Sequence, residues 1–253
     1  MKIDYKNLNI EQVAICDILR KYKLSAMAEN LARQFANPNN EFRNFEERLK
    51  EAIDAEVQKR EKNKLDKLIK NATLKYPDAT LDEKLQRPER KIDLNLIDSL
   101  CECSWIPKAR ILSITGATGT GKSYLACALA VTAMMKGYSA KYIPTNVLIA
   151  ELQQASATNT IIEYVNAISG YDLLVLDDFG YSEEVSTKKK PMNYHRLFEV
   201  LNARENRKAT IIAAQIPRPE WYDLFRNDTY ADACMDRITK SNYLIELEGP
   251  SLR

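Results

Sequence analysis

The chain has 253 residues but only one histidine, His195, and its five cysteines (Cys16, Cys101, Cys103, Cys127, Cys234) are scattered and odd in number. So few nitrogen and sulfur ligands exclude the usual zinc spacings, and the odd count argues against a disulfide framework. Cys101 and Cys103 read most simply as two reduced thiols. No charge of one sign prevails, because 37 Lys and Arg face 35 Asp and Glu for a net +2. That balance excludes a strong global field, so any polyanion binding must come from local patches. The opening MKIDYKNLNIEQ lacks an apolar leader, and no run approaches membrane-spanning length. A cytoplasmic protein with no membrane contact is expected. Glycine is scarce as well: there are seven, and none precedes residue 108.

What is there falls into two textures. Up to about residue 107 helix formers dominate at helical spacing. Two segments, IEQVAICDILRKY and LSAMAENLARQF, run up to ANPNN, which cannot easily continue a helix. Next comes NFEERLKEAIDAEVQKREKNKLDKLIK, where Asn44 and Glu47 resemble a capping box and Phe45, Leu49, Ile53 and Val57 share one face. A small all-helical domain over residues 1–75 is expected. Between Lys59 and Lys75 seven basic residues stand against two acidic ones. This run is either a solvated helix face or a helix that contacts phosphates. A charged linker with Pro77 and Pro88 then covers residues 76–107.

From Lys108 apolar β-runs alternate with helical stretches: RILSITG, SYLACALAVTAMMKG, AKYIPT, DLLVLDD, YHRLFEVLNAREN, ATIIAAQ, NYLIELEG. Strand and helix in repetition specify a parallel sheet covered on both faces. Residues 108–253 are therefore expected to form a three-layer α/β domain.

Gly116 through Ser123 read G-x-x-x-x-G-K-S, directly after a strand and opening a helix, which is the context a phosphate loop requires. Gly116, Gly119 and Gly121 let the backbone curl so that its amides face phosphate oxygens, and the helix adds its positive end. The expected ATP-binding set is Gly116, Ala117, Thr118, Gly119, Thr120, Gly121, Lys122, Ser123 and Tyr124. Lys122 is placed to reach the β and γ phosphates, and Ser123 to ligate magnesium. Fifty-five residues after Lys122, the strand LLVL ends in two carboxylates. Asp177 is expected to hold magnesium through water, and Asp178 to act as base or water-orienting group. Gln215, at the end of ATIIAAQ, is the candidate polar contact to the γ phosphate. The cofactors implied are ATP and Mg2+.

GATGTGKS, LLVLDDFGY and TIIAAQIPRPEWYDLF, in this order, resemble the AAA+ ATPases of the IstB and DnaC type. LSAMAENLARQ, NFEERLKEAIDAEVQKRE, ADACMDRI and IELEGPSLR are similar to the amino-terminal and closing segments of the IstB type, so the likeness spans nearly the whole chain. It implies a P-loop AAA+ domain, ATP hydrolysis, assembly of like subunits on duplex DNA, and a partner transposase. It also implies that Arg237, in MDRI, acts as an arginine finger in the neighbouring subunit's site. Arg204 is a second interface candidate, and Arg253 falls where a sensor arginine would. Arg60, Lys64, Lys67, Lys70 and the loop residues Lys188, Lys189 and Lys190 become candidate DNA contacts. Asp178 stands where many relatives carry Glu, and AAQ replaces their Thr-Ser-Gln or Thr-Ser-Asn. A helicase loader of the DnaC type shares each ATPase motif and is the alternative. A small-molecule P-loop kinase would need an acceptor site and an arginine-rich lid, neither of which is evident, while a nucleotide-gated scaffold would bind ATP with little hydrolysis.

Overall fold

The computed structural model describes residues 8–81, 91–180, 196–225, 228–240 and 242–251. The chain divides into two compact units, Met1–Lys67 and Leu68–Arg253, with the boundary inside one long helix.

The first unit holds α1 (Ile10–Lys21), α2 (Ser25–Ala36), a 3-10 turn (Pro38–Phe42) and most of α3 (Phe45–Ala72). A reciprocal capping box opens α1: Asn9 Oδ1 accepts the Gln12 N–H at 2.9 Å, and Gln12 Oε1 accepts the Asn9 N–H at 3.0 Å. At Asn44, where the sequence suggests such a box with Glu47, the side chain instead accepts the Glu46 N–H at 3.2 Å. Cys16, Ala28 and Ala32 form a small core backed by Leu8, Leu19 and Phe35. The apolar stripe of α3 does not supply it, since Phe45 is 69% exposed and Ile53 and Val57 are 45% and 46% exposed. A neighbouring face of α3 is inward instead, carrying Ala52 and Glu56. The Glu56 carboxylate accepts the N–H groups of Ala26 at 2.9 Å and Met27 at 3.3 Å, capping α2, whose own N-cap Leu24 has no capping side chain. Burial pushes the Glu56 carboxyl up, but hydrogen bonds from Arg60 and these amides outweigh it and hold it below the usual range.

The second unit comprises α4 (Leu94–Cys101), β1 (Ile111–Gly116), α5 (Lys122–Met135), β2 (Ala140–Pro144), α6 (Thr145–Ala157), α7 (Ile161–Ser169), β3 (Leu173–Phe179), α8 (Leu197–Arg204), β4 (Ala209–Ala214), α9 (Asp228–Thr239) and β5 (Asn242–Leu247). Five parallel strands pair in the order β2-β3-β4-β1-β5. The central strand β4 is buried at each position, as sheets covered on both faces require. Leu174, Leu176, Ile212 and Ala214 pack with residues of α6, α7, α8 and α9 on one face. The alternate residues leave the opposite face to α5, which contacts β1, β2, β3 and β4. The result is the expected three-layer α/β architecture.

The stretch 76–107, charged enough to read as a linker, contains α4, capped by Asp93 Oδ1 accepting from Asn95 N at 3.0 Å and Leu96 N at 3.3 Å. Ile97, Leu100, Cys103, Trp105 and Ile106 are buried, and Trp105 Nε1 donates to Leu100 O at 2.9 Å. No helix among the described residues is long and apolar enough to cross a membrane.

Candidate nucleotide site

The loop between β1 and α5 sits at the carboxyl edge of the sheet. Gly116 has φ 146°, and a Cβ there would lie 2.3 Å from the Leu247 carbonyl oxygen of adjacent β5, so no other residue fits. Gly121 is the N-cap of α5, and no side chain caps that end, which leaves the first-turn N–H groups turned to the loop. Lys122 is 7% exposed, and its Nζ donates to Ala117 O at 2.8 Å, where Thr120 Oγ1 also donates at 2.9 Å. Thr118 Oγ1 donates to Gln215 Oε1 at 2.9 Å, which links the residue after β4 to the loop. Ser123 stands half-buried in the first turn of α5. The Tyr124 ring lies 5.6 Å from that of Tyr76, and its hydroxyl accepts the Thr80 N–H at 3.2 Å. The closing segment approaches too: a Cβ on Gly119 would lie 2.2 Å from Ser251 Oγ.

Asp177 stands two residues before the end of β3 with 1% exposure. Its Oδ2 accepts the Tyr142 hydroxyl at 2.5 Å, its Oδ1 the Asp178 N–H at 2.9 Å, and its main-chain oxygen the Thr145 hydroxyl at 2.9 Å. Lys75 Nζ lies 3.9 Å from Oδ2. Sequence reading singled out neither Tyr142 nor the approach of Lys75. Burial, then the Asp177 carboxylate, push the Tyr142 phenol far above its ordinary range, so it remains a donor. Asp178 adopts left-handed φ 52° at an irregularity in the β3 to β4 pairing between Leu176 and Phe179. Such a bulge re-aims a side chain that regular alternation would send to the opposite face. The donors here, a Ser123 hydroxyl and a buried carboxylate, are hard oxygens and suit magnesium, not a thiophilic metal.

Arg237, in the last turn of α9, is elsewhere. With Ala109, Ile111, Leu201, Thr210 and others it lines a cavity of about 290 Å3 at the amino ends of β1 and β4. Its Nη1 donates to Ala233 O at 2.7 Å, its Nη2 to Asn202 Oδ1 at 2.8 Å, and Nε lies 3.0 Å from Glu205 Oε2, while the guanidinium sits 4.6 Å from the Phe198 ring centre. Asp236 pairs with Lys240 instead, at 3.1 Å.

The family described as IstB-like ATP binding protein matches residues 18–253. The chain belongs to that family. An insertion-sequence ATP-binding protein of Sinorhizobium fredii, y4uH, is 30% identical to this IstB-like chain over 237 residues, covering 94% of this chain and 93% of that one. The ATP-binding protein of insertion sequence IS1162 of Pseudomonas fluorescens is 34% identical over 199 residues, or 79% and 84% of the two chains. Among solved structures the DnaC helicase loader superposes with a TM-score of 0.53 at 22% identity, over 68% of this chain and 98% of that one. That likeness concerns the fold, which is the P-loop AAA+ type.

For the IstB-like chain, Arg204 is a correction to the expected interface arginine. It is 2% exposed, and its guanidinium donates to Thr210 Oγ1 at 3.2 Å and to the carbonyls of Ser169 at 3.2 Å, Tyr171 at 2.9 Å and Ala209. Burial pulls it down to about 9, partly offset by Asp172, so it stays charged at neutral pH. Arg204 thus ties the end of α7 to the start of β4. Arg204→Met should lower stability by about 3 kcal/mol by orphaning these acceptors, read as a fall in Tm with ATP binding retained in the cold. An unchanged Tm with lost assembly would restore the interface reading. Arg60, Lys64, Lys67 and Lys70 are exposed, and the first three share about 60° of helix circumference. Arg60 is partly committed, donating to Glu56 Oε1 at 2.9 Å and Lys23 O at 3.3 Å. Lys188, Lys189, Lys190 and Arg253 lie outside the described residues.

Proposed function

We propose that this IstB-like protein is a magnesium-dependent ATPase whose copies assemble on duplex DNA and assist a partner transposase. The observation that carries the reading is the separation of two sets of residues. Lys122, Ser123, Asp177 and Gln215 gather at the carboxyl edge of the sheet, while Arg237 lines a cavity at the amino ends of β1 and β4. The intervening length of β1 is roughly 17 Å at one strand rise per residue, too far for Arg237 to serve its own loop. An arginine placed there suits a neighbour's site, which makes ATP the joint between subunits.

In that site the curled loop amides and Lys122 hold the β and γ phosphates. Ser123 and Asp177 would hold magnesium, which when bound neutralises phosphate charge. Asp178 orients the attacking water and takes its proton, Gln215 contacts the γ phosphate through its amide, and the neighbour's Arg237 offsets charge on the departing phosphate. Arg60, Lys64, Lys67 and Lys70 on α3 supply weak, sequence-tolerant phosphate contacts that assembly sums into one strong grip. The helical region 1–75 is the DNA-contacting part in this reading, and the cytoplasm is its compartment. The transposase partner follows from the relatives, whose names tie them to insertion sequences.

Sedimentation with labelled duplex or single-stranded DNA, each with ATP, with ADP or without nucleotide, tests this. Large complexes are expected on duplex with ATP. Preference for single strands would point to a helicase loader, and a monomer in each condition would overturn assembly altogether.

A further inference from the structure

Asp177 is buried near the carboxyl end of β3, and an ionised carboxylate is costly there unless hydrogen bonds satisfy it. The parallel register sets Tyr142 beside Val175, two residues before Asp177, so Tyr142 and Asp177 share one face of the sheet as diagonal neighbours. From that position the phenol meets Oδ2 at 2.5 Å, a length typical of a charge-assisted bond. The Asp178 N–H takes the other oxygen at 2.9 Å. Lys75, at 3.9 Å from Oδ2, is beyond hydrogen-bond reach and contributes charge without direction. A phenylalanine would fill the space of Tyr142 as well, so packing alone gives no reason for the hydroxyl. One donor on each oxygen fixes the plane of the carboxylate and leaves a lone-pair direction free on each.

We propose that Tyr142 is a positioning residue for the metal: its hydroxyl locks Asp177 in the orientation that presents those remaining lone pairs to magnesium accompanying a bound nucleotide. The inference rests on the reading of Asp177 as the magnesium-associated carboxylate. Tyr142 touches neither metal nor nucleotide. It acts as outer partners of metal ligands do, setting affinity by orientation. Thr145 is no substitute, because its hydroxyl reaches the main-chain oxygen of Asp177 and leaves the carboxylate free to turn.

The test uses the full chain and a fluorescent ADP analogue, with affinity measured in EDTA and then across a magnesium titration, for wild type, Tyr142→Phe and Asp177→Asn. Wild type and Tyr142→Phe should bind the analogue equally in EDTA. The magnesium concentration at half effect should rise about tenfold in Tyr142→Phe, and the magnesium effect should vanish in Asp177→Asn. Direct titration of manganese by electron paramagnetic resonance should repeat the shift on the folded fraction, independent of any change in Tm. If Tyr142→Phe overlays wild type while Asp177→Asn loses the effect, the hydroxyl is structural and the proposal is wrong. If Asp177→Asn also overlays wild type, the metal reading of Asp177 has failed and takes this proposal with it. Failure of wild type to bind the analogue at all would refute the nucleotide site itself, a result distinct from either.

Discussion

Arg237→Ala is expected to leave ATP binding largely intact while lowering turnover by about three to five orders of magnitude. The side chain is partly exposed, and its ion pair with Glu205 is shared between groups 18% and 31% exposed. Losing this largely buried pair with the Ala233 and Asn202 hydrogen bonds should cost about 3 kcal/mol, less than the roughly 5–15 kcal/mol by which domains are stable, so the variant should remain folded. The Phe198 ring and Asn202 lose a neighbour, but neither is part of the nucleotide loop. A collapse of hydrolysis with binding and fold preserved therefore isolates the trans contribution. Mixing gives a second readout. Arg237→Ala keeps its own phosphate loop, and Lys122→Ala keeps its own arginine, so an assembly of both contains interfaces with one intact half from each. Turnover should reappear at about one quarter of wild type, because random order makes one interface in four competent across a head-to-tail contact. Normal turnover of Arg237→Ala alone, or no recovery on mixing, would sink the trans assignment. ATP-dependent assembly on duplex should weaken in the same variant, since the arginine would also be the contact that lets a neighbour feel the nucleotide.

The phosphate loop was legible because its chemistry is local: glycines, lysine and serine within eight residues, between a strand and a helix. The parallel sheet was legible for a similar reason, through continuous apolar runs such as LLVL and TIIAA. Tyr142 was not, because its partnership with Asp177 depends on β2 lying beside β3 in one register, and neither pairing nor register is written in either segment. Arg204 misled in the opposite direction. Family resemblance made it an interface candidate, but carbonyls from the end of α7, from Tyr171 and from the start of β4 converge on its donors in three dimensions. The inward face of α3 was hidden because Ala52 and Glu56 do not read as core, although small size and a carboxylate are what close packing and capping of α2 demand. In 76–107, prolines and charge masked the short apolar period that α4 buries.

At Asp178, replacement by asparagine should preserve ATP binding and assembly on DNA while slowing hydrolysis by about two to four orders of magnitude. The choice of asparagine follows from the backbone. Asp178 sits at φ 52°, a conformation that asparagine tolerates about as well as aspartate and that most other residues resist. The donor of the Asp178 N–H to Asp177 Oδ1 bond belongs to the main chain and survives the change, so the Asp177 carboxylate keeps its second donor. What is lost is the charge and basicity of one oxygen, the property a group orienting and deprotonating water requires. A single-turnover measurement with labelled ATP, run beside sedimentation on duplex DNA, separates the cases. Assembly without hydrolysis supports Asp178 as the water-orienting group. Wild-type turnover would move that role to another residue, and loss of ATP binding in magnesium but not in EDTA would make Asp178 part of the metal site. In the proposed reading, because aspartate is one methylene shorter than glutamate, its reach to the water would depend on the irregularity between Leu176 and Phe179.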